Sequence, residues 1–114
     1  MPHFLIDCAE SVLERLPAEE LLNRVHRAAL ASELFRPQDV KVRVRAYREF
    51  TVGDAANEFV HVFANIMAGR TVKQRAALSR SVVSELAGAL PDVTTISMNV
   101  SEFEAETYCN RAML

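Results

Sequence analysis

The sequence has 114 residues, half of them apolar, and a formal net charge of -2. That length fits one domain with a modest core, and the near-neutral charge gives no sign of a nucleic-acid tail or a membrane-surface patch. The two cysteines, Cys8 and Cys109, lie far apart without metal-type spacing, which argues against a disulfide framework and for a reducing compartment.

The chain opens with Pro2-His3-Phe4-Leu5-Ile6-Asp7-Cys8, a strand pattern in which Phe4, Ile6 and Cys8 share one face and His3, Leu5 and Asp7 the other. With Met1 removed, Pro2 would carry a secondary amine, a base that no side chain supplies. Neither a basic leader with a long apolar run nor a stretch near the roughly 20 apolar residues of a bilayer span is present, so the expected location is the cytoplasm. A polar connection then leads to a helix expected from about Pro17 to about Leu34. Proline stands at its start, Glu19 and Glu20 in its first turn, and Leu21, Val25 and Ala28 form its apolar stripe. Arg36-Pro37-Gln38-Asp39 should end it, because proline cannot continue the helical ladder.

The next strand alternates sharply: Val40, Val42, Val44 and Ala46 oppose Lys41, Arg43, Arg45 and Tyr47. Alternate cations on one face repel unless anions answer them, which leaves three readings: an anionic ligand, a partner subunit, or nearby Asp and Glu. Gly53-Asp54 with Ala55-Ala56-Asn57 reads as a connection. Phe59 to Ile66 follows as a third strand, with His61 between Phe59 and Phe63 on its mixed face. A histidine so placed is a packed, hydrogen-bonded group before it is a catalyst. No His, Cys, Asp or Glu cluster has zinc spacing, so no metal is expected.

Gly69-Arg70 turns the chain into a second long helix. Thr71 and Gln74 fit a capping box, Leu78, Val82, Leu86 and Leu90 form the apolar stripe, and Gly88 with Pro91-Asp92 marks the exit. A final strand from Thr94 to Val100 sets Ile96, Met98 and Val100 against Thr95, Ser97 and Asn99. Beyond about Phe103 the tail has no clear period. Corresponding elements in the two halves are offset by about 57 positions, as expected for a duplicated strand-helix-strand unit. The expected fold is therefore α/β, with duplicated β-α-β units, about 2–48 and 58–102, forming a four-stranded sheet with two helices on one face. The other sheet face would stay uncovered, and self-association would bury its apolar part.

Several of these residues together carry a resemblance. The Pro2 to Cys8 opening, Leu34-Phe35, the basic strand Val40 to Val44, Phe59-Val60-His61 and the Ala68-Gly69-Arg70 turn resemble the 5-carboxymethyl-2-hydroxymuconate isomerase family of the tautomerase superfamily. The resemblance implies a single tautomerase-like domain over 1–114, a homotrimer, and a cofactor-independent keto-enol isomerase of aromatic catabolism acting on a small carboxylated substrate. It implies Pro2 as the acid-base catalyst, with Lys41, Arg43 and Arg70 binding substrate carboxylates. Lys41 stands where the family's principal arginine falls, so the charge is kept while the planar fork is not. Two alternatives remain at this level: a non-catalytic oligomeric binding module of the same fold, and a related Pro2-dependent hydratase or decarboxylase.

Overall fold

The computed structural model describes residues 1–55 and 57–114. The first strand, β1 (His3–Ala9), is followed by a short helix α1 (Val12–Arg15), a longer helix α2 (Ala18–Ala31) and strand β2 (Lys41–Tyr47). Strand β3 (Phe59–Met67), helix α3 (Val72–Ala89) and strand β4 (Thr95–Phe103) repeat the pattern. The sheet order is β2-β1-β3-β4, with β1 parallel to β2, β3 parallel to β4, and β1 antiparallel to β3. Of the expected connection between β2 and β3, Ala56 lies outside the described residues. Its neighbours Val52 and Ala55 exchange two backbone hydrogen bonds of 3.1 Å across Gly53 and Asp54.

Alternation decides which face of each strand is buried. Phe4, Ile6 and Cys8 of β1 and Val60, Val62 and Ala64 of β3 form one core with Leu21, Val25 and Ala29 of α2 and Leu78, Val82 and Leu86 of α3. Both long helices therefore cover the same face. Each of the larger side chains contributes about 1.5–3 kcal/mol by leaving water. The opposite face carries His3, Leu5, the cations of β2, His61 and Phe63, and Phe63 remains exposed. Among the described residues, no helix is long and apolar enough to cross a membrane.

Two local expectations need correction. The stretch expected to be a polar connection after β1 contains α1, because Val12 and Leu16 are apolar and buried against the core. The helix expected to reach Leu34 ends at Ala31. Glu33 adopts φ 62°, a left-handed conformation that reverses the chain before Pro37 can act. The Ser32 hydroxyl donates to the Ala29 carbonyl and accepts from the Leu34 N–H, fixing the reversal. Pro17 sits one place outside α2, where its carbonyl accepts from the Leu21 N–H at 3.0 Å. The Thr71–Gln74 capping box forms as expected, with bonds of 3.1 and 2.9 Å.

Replacing Glu33 with glycine should raise stability by about 1 kcal/mol, since glycine adopts the left-handed region without steric cost. Urea denaturation checks this, and a destabilised variant would contradict it. Burial raises the pKa of the Cys8 thiol to about 11 from 9.0, with the Asp7 charge adding to the rise. The folded state holds this proton more tightly than the unfolded chain. The resulting stability is complete below pH 9 and is lost as pH rises toward about 11, a change of about 3 kcal/mol. The fall in stability across this window should shrink in Cys8→Ala relative to the parent, measured by denaturant titration at stepped pH.

Candidate functional site

Strand directions gather distant residues at one end of the sheet. The start of β1 pairs with the start of β2 and with the end of β3, through His3–Lys41 and His3–Asn65, while Met67 of β3 pairs with Phe103 of β4. Pro2, Lys41, the Gly69-Arg70 turn and the end of β4 therefore meet at this edge. Pro2 is fully buried, and its carbonyl accepts from the Lys41 N–H at 3.1 Å.

The cations here differ from most others in the chain. Arg15, Arg24, Arg27, Arg36, Arg45, Arg48 and Arg75 each lie within 4.0 Å of a carboxylate oxygen. Among the described residues, Lys41, Arg43 and Arg70 have no such partner. Lys41 Nζ donates to the Asp39 carbonyl at 2.8 Å, and an Arg43 guanidinium nitrogen lies 3.1 Å from His3 Nδ1. Arg70 donates to the Leu34 carbonyl at 2.6 Å, with a longer contact of 3.5 Å to the Met67 carbonyl. Its guanidinium also lies over the Phe35 ring, 5.2 Å from the centroid, and Phe35 packs edge-on against Phe4. Neutral acceptors hold these three side chains while leaving their charge uncancelled.

The turn that aims Arg70 depends on Gly69, whose φ of 126° would strain any residue with a side chain. The Gly69 N–H donates to Glu102 at 3.3 Å, which anchors the turn on β4. Arg45, the third cation of β2, is satisfied differently: Asp7 accepts from it at 3.4 Å and from the Tyr47 hydroxyl at 3.2 Å. Of the three readings of the basic strand, a nearby acid therefore accounts for Arg45 and leaves Lys41 and Arg43 to the other two. His61 is a packed residue, its ring nitrogens 2.7 Å from Ser97 Oγ and 2.9 Å from Asn99 Oδ1.

The chain-terminal amine on Met1 has its pKa lowered, first by burial. Asp39 opposes the shift, and Lys41, Arg70 and Arg36 reinforce it. Lys41 and Arg70 are thus brought to the start of the chain, and Arg43 is placed one step along the open face, against His3. Sequence reasoning passed over Arg36 and Asp39, which form a 2.8 Å ion pair. Their spacing of three could have signalled the pair, but both were read only as a helix stop. It also passed over the packing of Phe103 on Tyr108, with ring centroids 5.7 Å apart, which draws the tail back to this end. A cleft of about 700 Å3 lies elsewhere, bordered by Arg80, Ser84 and Met98, and contains none of these candidates. The gathering of Lys41 and Arg70, both without a carboxylate partner among the described residues, at a buried chain start marks the Pro2 end, rather than concavity within one chain.

Comparisons with known proteins agree with this arrangement of strands and helices. A curated Escherichia coli protein, 5-carboxymethyl-2-hydroxymuconate Delta-isomerase, is 26% identical over 77 residues, which is 66% of this chain. The match spans 61% of that relative's length. The crystal structure of a 5-carboxymethyl-2-hydroxymuconate isomerase from Deinococcus radiodurans R1 superposes with a TM-score of 0.84 at 20% identity, covering 96% of this chain and 88% of that one. A structure described as a fused 4-OT wild type symmetric trimer gives 0.79 at 17% identity, covering 96% and 91%. These two share the fold. The family model described as 5-carboxymethyl-2-hydroxymuconate isomerase matches residues 2–113, and the chain belongs to that family.

Proposed function

We propose that this protein is a cofactor-independent isomerase that interconverts a carboxylated 2-hydroxydienoate and its 2-oxo isomer, with Pro2 as its amino-terminal acid-base catalyst. The single observation that carries this reading is the meeting of a buried chain start with Lys41 and Arg70, cations that have no carboxylate partner among the described residues. Membership of the isomerase family supports it.

The chemistry follows from proton bookkeeping. Once Met1 is removed, the neutral Pro2 amine takes the proton from the enol oxygen. The oxygen electron pair then forms the C=O bond, the double bonds shift along the chain, and the remote carbon takes a proton from the resulting ammonium. One amine is consumed and regenerated, and the transfers are internal to substrate and enzyme. Such acid-base help contributes about 10²–10⁴ in rate. Lys41, Arg43 and Arg70 bind the substrate carboxylates and stabilise negative charge on the dienolate oxygen. Burial, with Lys41 and Arg70, disfavours the protonated amine, extending to Pro2 the depression found at the Met1 amine.

In this reading the working particle is a homotrimer in the cytoplasm. The open face with its exposed Phe63 gives a reason to associate, and the fused 4-OT neighbours described as trimers support that stoichiometry. A neighbouring subunit packed on the open face would add its own side chains beside the chain start.

Intact-mass measurement should find Met1 absent from the active protein. A fully active protein that retains Met1 would overturn the role of Pro2. Pro2→Ala should lower kcat by about 10²–10⁴ in an ultraviolet assay of ketonisation, while binding of an unreactive dicarboxylate persists. Undiminished turnover would refute the assignment. The acid limb of kcat/KM should fall below the ordinary range of an α-amino group, about 7.7–8.0, because the neutral amine is the working form and its pKa is lowered. Arg70→Ala should raise that limb and lower kcat/KM about tenfold or more. It should also cost about 1–3 kcal/mol of stability by releasing the Leu34 carbonyl, which denaturant titration checks separately.

A further inference from the structure

His3 takes no part in the proton transfers above, yet it stands between the cations. Its place in β1 puts it on the open face, in register with Lys41 of β2 and Asn65 of β3. Its Nδ1 lies 3.1 Å from the Arg43 guanidinium. A guanidinium only donates, so Nδ1 must be the unprotonated nitrogen and the ring proton resides on Nε2. On its other side the ring meets Phe103 edge-on, with centroids 6.2 Å apart and planes at 87°, and Phe103 rests against Tyr108. The imidazole is therefore gripped by β4 and oriented toward β2.

We propose that His3 is a positioning residue that, as a neutral imidazole, holds the Arg43 guanidinium in place as a carboxylate ligand of the substrate. The inference rests on the reading of Arg43 as a substrate-binding residue and adds what fixes it. An arginine on an exposed strand face samples many rotamers, and an acceptor at one end of its fork removes most of them before substrate arrives. An acidic partner could fix the side chain equally well but would cancel its charge. An imidazole nitrogen orients the guanidinium and leaves the charge for the ligand.

This arrangement also makes the grip conditional. Protonated His3 has no acceptor to offer and becomes a further cation beside Arg43, Lys41 and the chain-terminal amine. These are the charged groups that act on it; across β3 it meets the uncharged Asn65, and from β4 and the tail it meets Phe103 and, behind it, Tyr108. Burial, then Arg43, Lys41 and the amine lower the His3 pKa from its ordinary value of 6.5, so the grip holds at neutral pH and releases only on acidification.

The test uses the mature full-length protein and muconate, an unsaturated dicarboxylate that lacks the reactive 2-hydroxyl, with calorimetry as readout. His3→Phe should weaken muconate binding about tenfold, the order expected for losing a hydrogen bond to a charged group. His3→Asn, whose Oδ1 can stand near the position of Nδ1, should bind within about threefold of the parent and lose the parent's weakening in acid. In an Arg43→Ala background, His3→Phe should cost nothing further. An unchanged affinity in His3→Phe, or an equal loss with and without Arg43, overturns the inference. Nitrogen NMR of the parent gives an independent reading: an Nε2–H ring that changes in Arg43→Ala supports it, and an Nδ1–H ring refutes it. A parent that binds no muconate overturns the carboxylate clamp itself, whereas a parent that binds muconate but turns over no 2-hydroxydienoate overturns the isomerase reading and leaves the His3–Arg43 contact to be decided by the same binding cycle.

Discussion

The backbone hydrogen bond from the Lys41 N–H to the Pro2 carbonyl, 3.1 Å long, sets the first rung of the β1–β2 ladder. From that rung the register follows as His3–Lys41, Leu5–Arg43 and Asp7–Arg45. A slip of one residue would either turn Phe4 and Ile6 out of the core or send the cations of β2 toward the helices, and the apolar face forbids both. Core packing thus fixes the register, and the register fixes where the charges stand. Because β1 runs antiparallel to β3, the same choice brings the Gly69-Arg70 turn to the chain start rather than to the far end.

Charge placed without counter-charge has a cost, and the structure limits it in two ways. Along β2 the burden is divided: Arg45 is answered by Asp7, Arg43 is oriented by an imidazole, and Lys41 is satisfied by a carbonyl. At Arg70 the guanidinium spreads its charge over the Phe35 ring and two backbone acceptors, one of them on the segment that Glu33 turns back toward the sheet. Carbonyl dipoles hold a cation with less loss of its field than a carboxylate at the same distance. A local excess of positive potential survives in a chain whose net charge is slightly negative.

Much of this organisation was legible in the sequence because it obeys short periods. The alternation of β1, β2 and β3 gave the faces correctly, and Thr71 with Gln74 gave the start of α3, since both are local in origin. What was not legible depended on groups without a side-chain signature. The Leu34 carbonyl holding Arg70 across 36 positions, the left-handed Glu33, and α1 folded within a stretch read as polar all follow from how the chain closes on itself. His3 is intermediate: its face could be read from alternation, but its value comes from the diagonal neighbour Arg43 and from Phe103 on β4, which no spacing in the sequence relates. The Pro37 stop was chemically sound and came too late, because the reversal at Ser32 and Glu33 had already ended the helix.

The lysine at position 41 gains a physical rationale from its surroundings. Its Nζ reaches the Asp39 carbonyl while the Asp39 carboxylate is engaged by Arg36, so the one anion of the short turn Pro37–Asp39 is flanked by two cations, Arg36 before the turn and Lys41 after it. At the chain-start amine, burial first lowers the affinity for a proton, Asp39 raises it, and Lys41, Arg70 and Arg36 lower it further. A planar fork at position 41 could engage an acid bidentately, whereas an ammonium held on a carbonyl stays a point charge with two donors to spare. The turn therefore supplies positive potential near Pro2 without imposing a geometry there, whereas the two guanidiniums are held in place, Arg43 by His3 and Arg70 by the Leu34 carbonyl; under the proposed isomerase reading, directional recognition of carboxylate falls to them.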